Sequence, residues 1–329
     1  MRGDTPALAS RRAYRQIRRT LAVIAVAGGL SACATVEIAP AHLMPLPQET
    51  MALLGKKHMD VKAPIFIRVY KEESELEVWK MRDDGRFYHL KTFPICNWSG
   101  QLGPKLRQGD RQAPEGFYTI TRHQLNPNSQ YHLAINLGYP NPYDKSNRRT
   151  GDSLMIHGGC GSSGCYAMTD ALMEEVYALV REAMDGGQAV VHVHALPFRM
   201  TKANMARHTK SQWQGFWRTL KEGYDYFETT RQVPTIAVCN RHYVVNVRMA
   251  HGDPARLNPA GACPTFQHPK AVPFKPKPGE HVAEVDQRVV VPGRKRRTPT
   301  SGEWEAPMMG LTKTPQAVYD WWQRLTGAR

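Results

Sequence analysis

With 329 residues the chain has room for one sizeable domain with additions, or for two domains, and no more. Its 41% hydrophobic content is enough to bury a core, which sets aside a chain without one, and its formal net charge is +15. Six Arg and one Asp fall in the first 32 residues and leave the rest at +10. That balance suits a polyanion (nucleic acid, anionic lipid or an acidic wall polymer) without choosing among them.

The N-terminus carries Arg11, Arg12, Arg15, Arg18 and Arg19 ahead of an apolar run from Leu21 to Leu30. A charged region followed by so short an apolar stretch predicts an export signal, since ten residues do not span a bilayer. The run ends in Leu30-Ser31-Ala32-Cys33, which resembles a bacterial lipobox and implies that Cys33 becomes the lipidated first residue of the mature protein. The alternative is an ordinary cleaved signal. Ala34 supplies no inner-membrane retention signal, so the expectation is a periplasmic protein anchored by lipid in the outer membrane. Cys96, Cys160, Cys165, Cys239 and Cys263 then remain, an odd number, so in an oxidising space at least one thiol stays unpaired.

Residues 34–60 are rich in proline and small residues and read as a tether. Strand-like alternation follows over Ile65–Tyr70, Leu76–Met81 and, after an Asp84-Gly85 turn, Arg86–Ile95. Asn97 to Pro114 is a long Gly/Pro-punctuated loop of the kind that often carries function. Gly116–Thr121, Tyr131–Leu137 and Ser153–His157 read as further strands. A helix is predicted after Thr169 or Asp170, with Leu172, Met173, Val176, Leu179, Val180 and Ala183 at helical spacing and Gly186-Gly187 as its stop. Ala189–Val193 is a strand, Ser211–Phe227 a second helix, and Thr235–Val238 with Tyr243–Val247 a strand pair. Beyond Pro264 the chain is basic and Pro-rich, with a last short helix predicted over Pro315–Leu325.

The densest chemistry lies between Gly151 and Asp170, where a strand runs through a loop with four glycines toward a helix start. A thiol at Cys165 would gain from a helix N-terminus, which favours the thiolate, and from unpaired backbone N–H groups that bind an oxyanion. His157, at a strand end eight residues earlier, can reach back as the base of an activated-thiol pair. A buried, inert cysteine at a strand end is the competing reading.

The strings Met155-Ile-His-Gly158 and Ser162-Ser-Gly-Cys-Tyr-Ala-Met-Thr-Asp170 resemble the YkuD-type L,D-transpeptidase catalytic domain, specifically its YafK-like branch. Trp98 to Tyr118, Pro197 to Thr201 and Phe216 to Phe227 agree with it, so the resemblance covers roughly residues 60–240. It implies a mainly β (α+β) fold, a β-sandwich-type catalytic domain with a small α/β C-terminal extension. The divisions are 1–33 lipoprotein signal peptide and lipobox, 34–60 tether, 61–202 catalytic domain, 203–265 extension and 266–329 basic tail with a short terminal helix. It further implies Cys165 as nucleophile, His157 as base, the Gly158 carbonyl orienting the imidazole, and the N–H groups of Gly164 and Cys165 as oxyanion hole, with Ser163 contributing to the same orienting backbone. The acyl donor would be a diaminopimelate-type residue of a peptidoglycan stem peptide, attacked to give a thioester and passed to an amine or to water. Ser163 stands where the wider family has histidine, His157 lies closer to the cysteine than usual, and Tyr166-Ala167 replaces a hydrophobic-Arg pair; these departures leave the acceptor open. Some members of the branch hydrolyse bonds to peptidoglycan and release attached lipoprotein.

Cys239 and Cys263 flank the last strand pair, and a disulfide there would close a loop of about 25 residues and stabilise by roughly 3 kcal/mol. Cys96 and Cys160 pairing near the site would leave Cys165 as the free thiol. His192 and His194 face one side of a strand without an evident third ligand, so packing is favoured over metal binding. Lys105, Arg107 and Arg111 are either carboxylate-binding or solvated, and Trp213, Trp217 and Tyr224 read as core in preference to a sugar platform. The Arg294 to Arg297 run is a basic tail segment that can touch anionic lipid or glycan. No cofactor, metal or nucleic acid is expected. A non-catalytic wall-binding lipoprotein is the rival from another class, and the presence of both His157 and Cys165 argues against it.

Overall fold

The sequence Ile65-Phe-Ile-Arg-Val-Tyr70 forms a strand buried at every position in the computed structural model, which describes residues 39–276. Its two faces are buried against different layers, which is why it reads as a nearly continuous apolar run. Ile65, Ile67 and Val69 join the main core, whereas Phe66 and Tyr70 join clusters on the opposite face with Phe227, and with Trp217, Leu220 and Tyr224.

Strands β1 (Ile65–Tyr70), β2 (Glu75–Met81) and β3 (Phe87–Pro94) form the expected antiparallel meander. β4 (Asn97–Trp98), β5 (Gly116–Ile120), β6 (Leu125–Ser129), β7 (His132–Asn136), β8 (Met155–His157), β9 (Tyr166–Ala167), β10 (Val191–Leu196), β11 (Ile236–Cys239) and β12 (His242–Val245) follow. The helices are α1 (Gln48–Lys56), α2 (Pro142–Ser146), α3 (Asp170–Asp185), α4 (Lys202–Arg207) and α5 (Gln214–Thr230). One five-stranded sheet has the order β3-β2-β1-β10-β5, a second the order β4-β9-β8-β7-β6, and β11 pairs with β12. Residues of both five-stranded sheets and of α3 share one apolar core, including Ile67, Val78, Leu133, Ile156, Tyr166, Met173 and Val176. The architecture is mainly β with few helices.

α3 begins where its cap predicts: the Thr169 hydroxyl accepts from Leu172 N, and it ends at Asp185 before Gly186-Gly187. β10 runs on to Leu196, past the predicted end at Val193, because parallel pairing with β1 and antiparallel pairing with β5 cover both of its edges. The segment expected as a tether is folded from Ala41 onward, and the described residues from there belong to one compact unit. Leu46, Leu54 and Met59 enter the main core, and the buried Thr50 hydroxyl of α1 donates to Glu175 on α3. The residues of the expected C-terminal extension pack against the catalytic domain: α5 covers the outer face of the first sheet with Trp217, Leu220, Tyr224 and Phe227. α5 ends at Thr230, one turn later than predicted.

That face carries a buried charge network. Glu77 is fully buried and accepts from Arg68 (3.0 Å), Trp79 Nε1 (2.8 Å) and Arg199. Arg68, also buried, reaches Glu228 on α5 at 2.6 Å. Burial of such ions is costly and is offset only when every charge is matched. The two arginines hold the Glu77 carboxylate down at about 2 despite burial, which acts in the opposite direction.

Disulfides join Cys96 to Cys160 and Cys239 to Cys263. The first part of the expected basic tail is ordered against the domain: Gln267 pairs with Arg248, Phe274 N donates to Thr229 O at 2.7 Å, and the Phe274 ring lies 5.6 Å from that of Tyr88. The export segment with Cys33, the Arg294 to Arg297 run and the predicted terminal helix lie outside the described residues.

Candidate active site

β8 lies inside the second sheet, antiparallel to β7 and parallel to β9. The parallel pairing sets Ile156 beside Tyr166 and His157 beside Ala167. One step back along the register, Cys165 falls beside Met155. Paired residues share a face and faces alternate along a strand, so Cys165 and His157 project on the same side, opposite the fully buried Ile156 and Tyr166. Only residues 158–164 separate His157 from Cys165, and the sheet brings them together.

That loop is pinned at several points. Gly158 has no room for a side chain: a Cβ there would lie 2.6 Å from Asp170 Oδ1 and 2.9 Å from Tyr131 O. The Asp170 carboxylate accepts from Gly159 N at 2.8 Å, Cys160 N donates to Met168 O at 3.1 Å, and the disulfide ties Cys160 to Cys96 beside β4. Gly164 adopts φ +127°, a conformation open in practice to glycine alone. It turns the chain so that Cys165 leads directly into β9.

His157 is buried and its Nδ1 lies 2.6 Å from the Gly158 carbonyl. A carbonyl only accepts, so Nδ1 carries the proton and Nε2 is left as the acceptor. The exposed Tyr131 ring covers the imidazole at 4.8 Å and 33°. Burial lowers the His157 pKa from 6.5, with the Gly158 bond acting in the opposite sense. The Cys165 sulfur accepts from Met155 N at 3.4 Å and donates to Ser153 O at 3.7 Å. Burial raises its pKa from 9.0, partly opposed by the Met155 N–H and by Lys105. At neutral pH the pair is therefore a thiol and a neutral imidazole.

This corrects the expectation that Cys165 sits at a helix start. β9, Met168 and Thr169 intervene before α3, and the first turn of that helix serves Gly159 through Asp170 instead of the sulfur. The N–H groups of Gly164 and Cys165 are also occupied: both point to Ser162 Oγ, at 3.4 and 3.1 Å. Ser163 is exposed. Lys105 is not a surface carboxylate binder, being buried and paired with Asp110 and the Arg107 carbonyl (3.0 Å), whereas Arg107 and Arg111 are exposed. His194 lies between Phe66 and Phe117, ring centroids 4.7 and 4.5 Å away, and neither ring nitrogen finds a partner. Among the described residues no group of three His, Cys, Asp or Glu side chains converges as a metal site. Trp217 and Tyr224 are core residues, Trp217 donating to the buried Glu115 at 2.8 Å, a carboxylate that also accepts from Gly103 N below the long loop. Ser162, Ser153, Met155 and Tyr131 join the site without having been singled out in the sequence. Met155 and Ser162 left a signal, as the first residues of the Met-Ile-His-Gly and Ser-x-Gly-Cys strings.

Residues 64–193 match the family model of the YkuD L,D-transpeptidase catalytic domain. The Escherichia coli (strain K12) protein named "Putative L,D-transpeptidase YafK" is 48% identical over 189 residues, covering 57% of this chain and 76% of that protein. Its counterpart in Escherichia coli O157:H7 matches equally. Two solved structures are also similar. The helical cell shape determining protein Pgp2 from Campylobacter jejuni (18% identity, TM-score 0.33) is matched over 57% of this chain and 79% of that one. Bd1075 from Bdellovibrio bacteriovorus (20% identity, TM-score 0.28) is matched over 57% and 68%. The family match includes His157 and Cys165, and the YafK relatives match over 189 residues: the chain belongs to the YkuD family of L,D-transpeptidase catalytic domains, on its YafK-like branch.

Proposed function

We propose that the protein is a cysteine-dependent acyltransferase of peptidoglycan stem peptides, with Cys165 as nucleophile and His157 as base. The observation that carries this reading is the placement of a free thiol and an imidazole of defined tautomer on one face of the β8–β9 pair. On binding of the donor peptide, Nε2 takes the thiol proton as Sγ attacks the carbonyl carbon of the diaminopimelate-type residue. The carbon–nitrogen bond then breaks, the leaving amine takes the proton from His157, and a thioester to Cys165 remains. An acceptor amine resolves it by the reverse of these steps, with His157 again as base. Neutral partners at rest fit a proton transfer that accompanies attack. The Gly158 carbonyl holds the imidazole throughout, and the amides of Gly164 and Cys165 receive the oxyanion. Both disulfides favour an oxidising compartment, in keeping with a periplasmic protein held by lipid on Cys33.

Incubation of purified muropeptides with the protein, read by mass spectrometry, tests the reading. Crosslinked dimers or exchanged terminal residues are expected; only shortened or detached peptides would assign the thioester to water, as in a hydrolase that frees wall-attached lipoprotein. Cys165→Ala should abolish turnover and His157→Ala lower it by about 10³-fold or more, since the two act as a unit. Full activity in Cys165→Ala sinks the assignment.

A further inference from the structure

Ser162 makes a closed set of bonds around the nucleophile. Its hydroxyl accepts from Cys165 N at 3.1 Å and from Gly164 N at 3.4 Å, and donates to Cys165 O at 2.7 Å. One donor and two acceptor positions are all a hydroxyl has, so these three bonds fill Ser162 and both amides have an acceptor, while Ser99 Oγ competes for the same hydroxyl at 3.4 Å. An incoming carbonyl oxygen that gains negative charge at these amides must displace an acceptor already there. The displaced hydroxyl has a place to go, since Ser99 Oγ is already within a long hydrogen bond of it at 3.4 Å, a bond that can shorten once the amides are given up. The Cys96–Cys160 disulfide holds the two serines' segments against each other, three residues from Ser99 and two from Ser162.

We propose that Ser162 is a positioning residue that occupies the oxyanion-binding amides of the free enzyme and swings toward Ser99 when the substrate oxygen arrives. The inference rests on Cys165 being the nucleophile and on these amides being its oxyanion hole. In the free protein the hydroxyl keeps both N–H groups aimed at one point and spares them desolvation without a partner, which would cost more than the bonds themselves are worth. During reaction a charged oxygen replaces a neutral hydroxyl, and bonds to the charged acceptor are the stronger ones. The exchange therefore runs in favour of the tetrahedral intermediate and against the ground state, as differential binding requires.

Two reagents separate this role from a structural one. p-Nitrophenyl acetate acylates the thiol: the Sγ–carbon bond forms, the bond to p-nitrophenolate breaks, the thiol proton passes to His157, and an oxyanion develops on the way. Iodoacetamide alkylates the same sulfur by displacing iodide, with no oxyanion. The ratio of the two rates on the full chain isolates the amides from general reactivity, and because neither reagent is a peptide the ratio is independent of whether muropeptides are the substrate. Ser162→Ala empties the amides and should raise the ratio by about tenfold, two neutral hydrogen bonds no longer having to be exchanged. Ser99→Ala, which leaves the Ser162 bonds to Gly164 and Cys165 intact but removes the receiving group, should lower it. An unchanged or lower ratio in folded Ser162→Ala overturns the proposal. Should that variant fail to fold, as near-UV circular dichroism reports, an unchanged ratio in Ser99→Ala overturns it instead.

Discussion

Alkylation of Cys165 by iodoacetamide, followed from about pH 6 to about pH 10.5, measures the resting state of the proposed pair. The reagent reads the thiolate, and burial lifts the Cys165 thiol above its ordinary 9.0. A thiol at 9.0 is about 1% ionised at pH 7, so Cys165 should react there at no more than about one hundredth of its plateau rate, with the rise lying above pH 9. A preformed thiolate–imidazolium pair, as in proteases whose cysteine falls to about 3–4, would already be on its plateau at pH 7, so the two cases differ by about 100-fold. Peptide mapping by mass spectrometry separates the adduct on Cys165 from any on Cys33, while Cys96, Cys160, Cys239 and Cys263 are held in disulfides. His157→Ala should leave this curve in place, because the sulfur is bonded to Met155 N and Ser153 O and not to the imidazole. Turnover has a different acid limb: His157 acts as base only when neutral, its pKa is lowered from 6.5, and activity should fall only as pH drops below about 6.5. A plateau of alkylation reached below pH 8, or a curve shifted upward in His157→Ala, would refute the neutral-pair reasoning.

Three further outcomes follow from the geometry. Gly164→Ala places a side chain where space exists, the nearest atoms being 3.7 and 3.9 Å away, but at φ +127°. The backbone must turn and re-aim the amides, so kcat/KM should fall by about 10²-fold or more, while strain of about 1–3 kcal/mol moves Tm only modestly; wild-type kinetics would show that the amides are not used. Replacing Cys96 and Cys160 by Ser removes a link across 64 residues and should cost about 4 kcal/mol by the chain-entropy account, seen as a lower denaturant midpoint with a slope at least as steep as the wild type's, because the freed unfolded chain exposes more surface. Glu77→Gln leaves Arg68 and Arg199 buried without their shared counter-charge and should cost about 3–5 kcal/mol. In the wild type Glu77, lowered from 4.5 to about 2, contributes stability that is present above pH 4.5 and lost as pH falls toward 2. The variant should lack that loss, and parallel stability curves for the two proteins between about pH 5 and 2 would contradict it.

Much of this protein is written locally. The alternation in Ile65–Tyr70 and Leu76–Met81, the Asp84-Gly85 turn, the Thr169 cap and the Gly186-Gly187 stop each depend on neighbours a few residues away, and the strands and α3 lie close to where those signals place them. The string from Met155 to Asp170 likewise names the candidate thiol and imidazole without any knowledge of tertiary contacts. Other features depend on partners far along the chain. α1 folds because Thr50 and Leu54 meet α3 and the main core, and nothing in a Pro-rich segment announces that. β9 has two residues, too few for a periodicity, yet it separates Cys165 from the helix and so takes the dipole away from the sulfur. The resting charge state of the pair is decided in the same way. A thiol and an imidazole carry no fixed pKa in sequence; the desolvation that raises one and lowers the other comes from the layers packed around β8. Only the fold, finally, decides what the amides before Cys165 face, because the hydroxyl of Ser162 reaches them solely in the turn that Gly164 and the Cys96–Cys160 bridge impose.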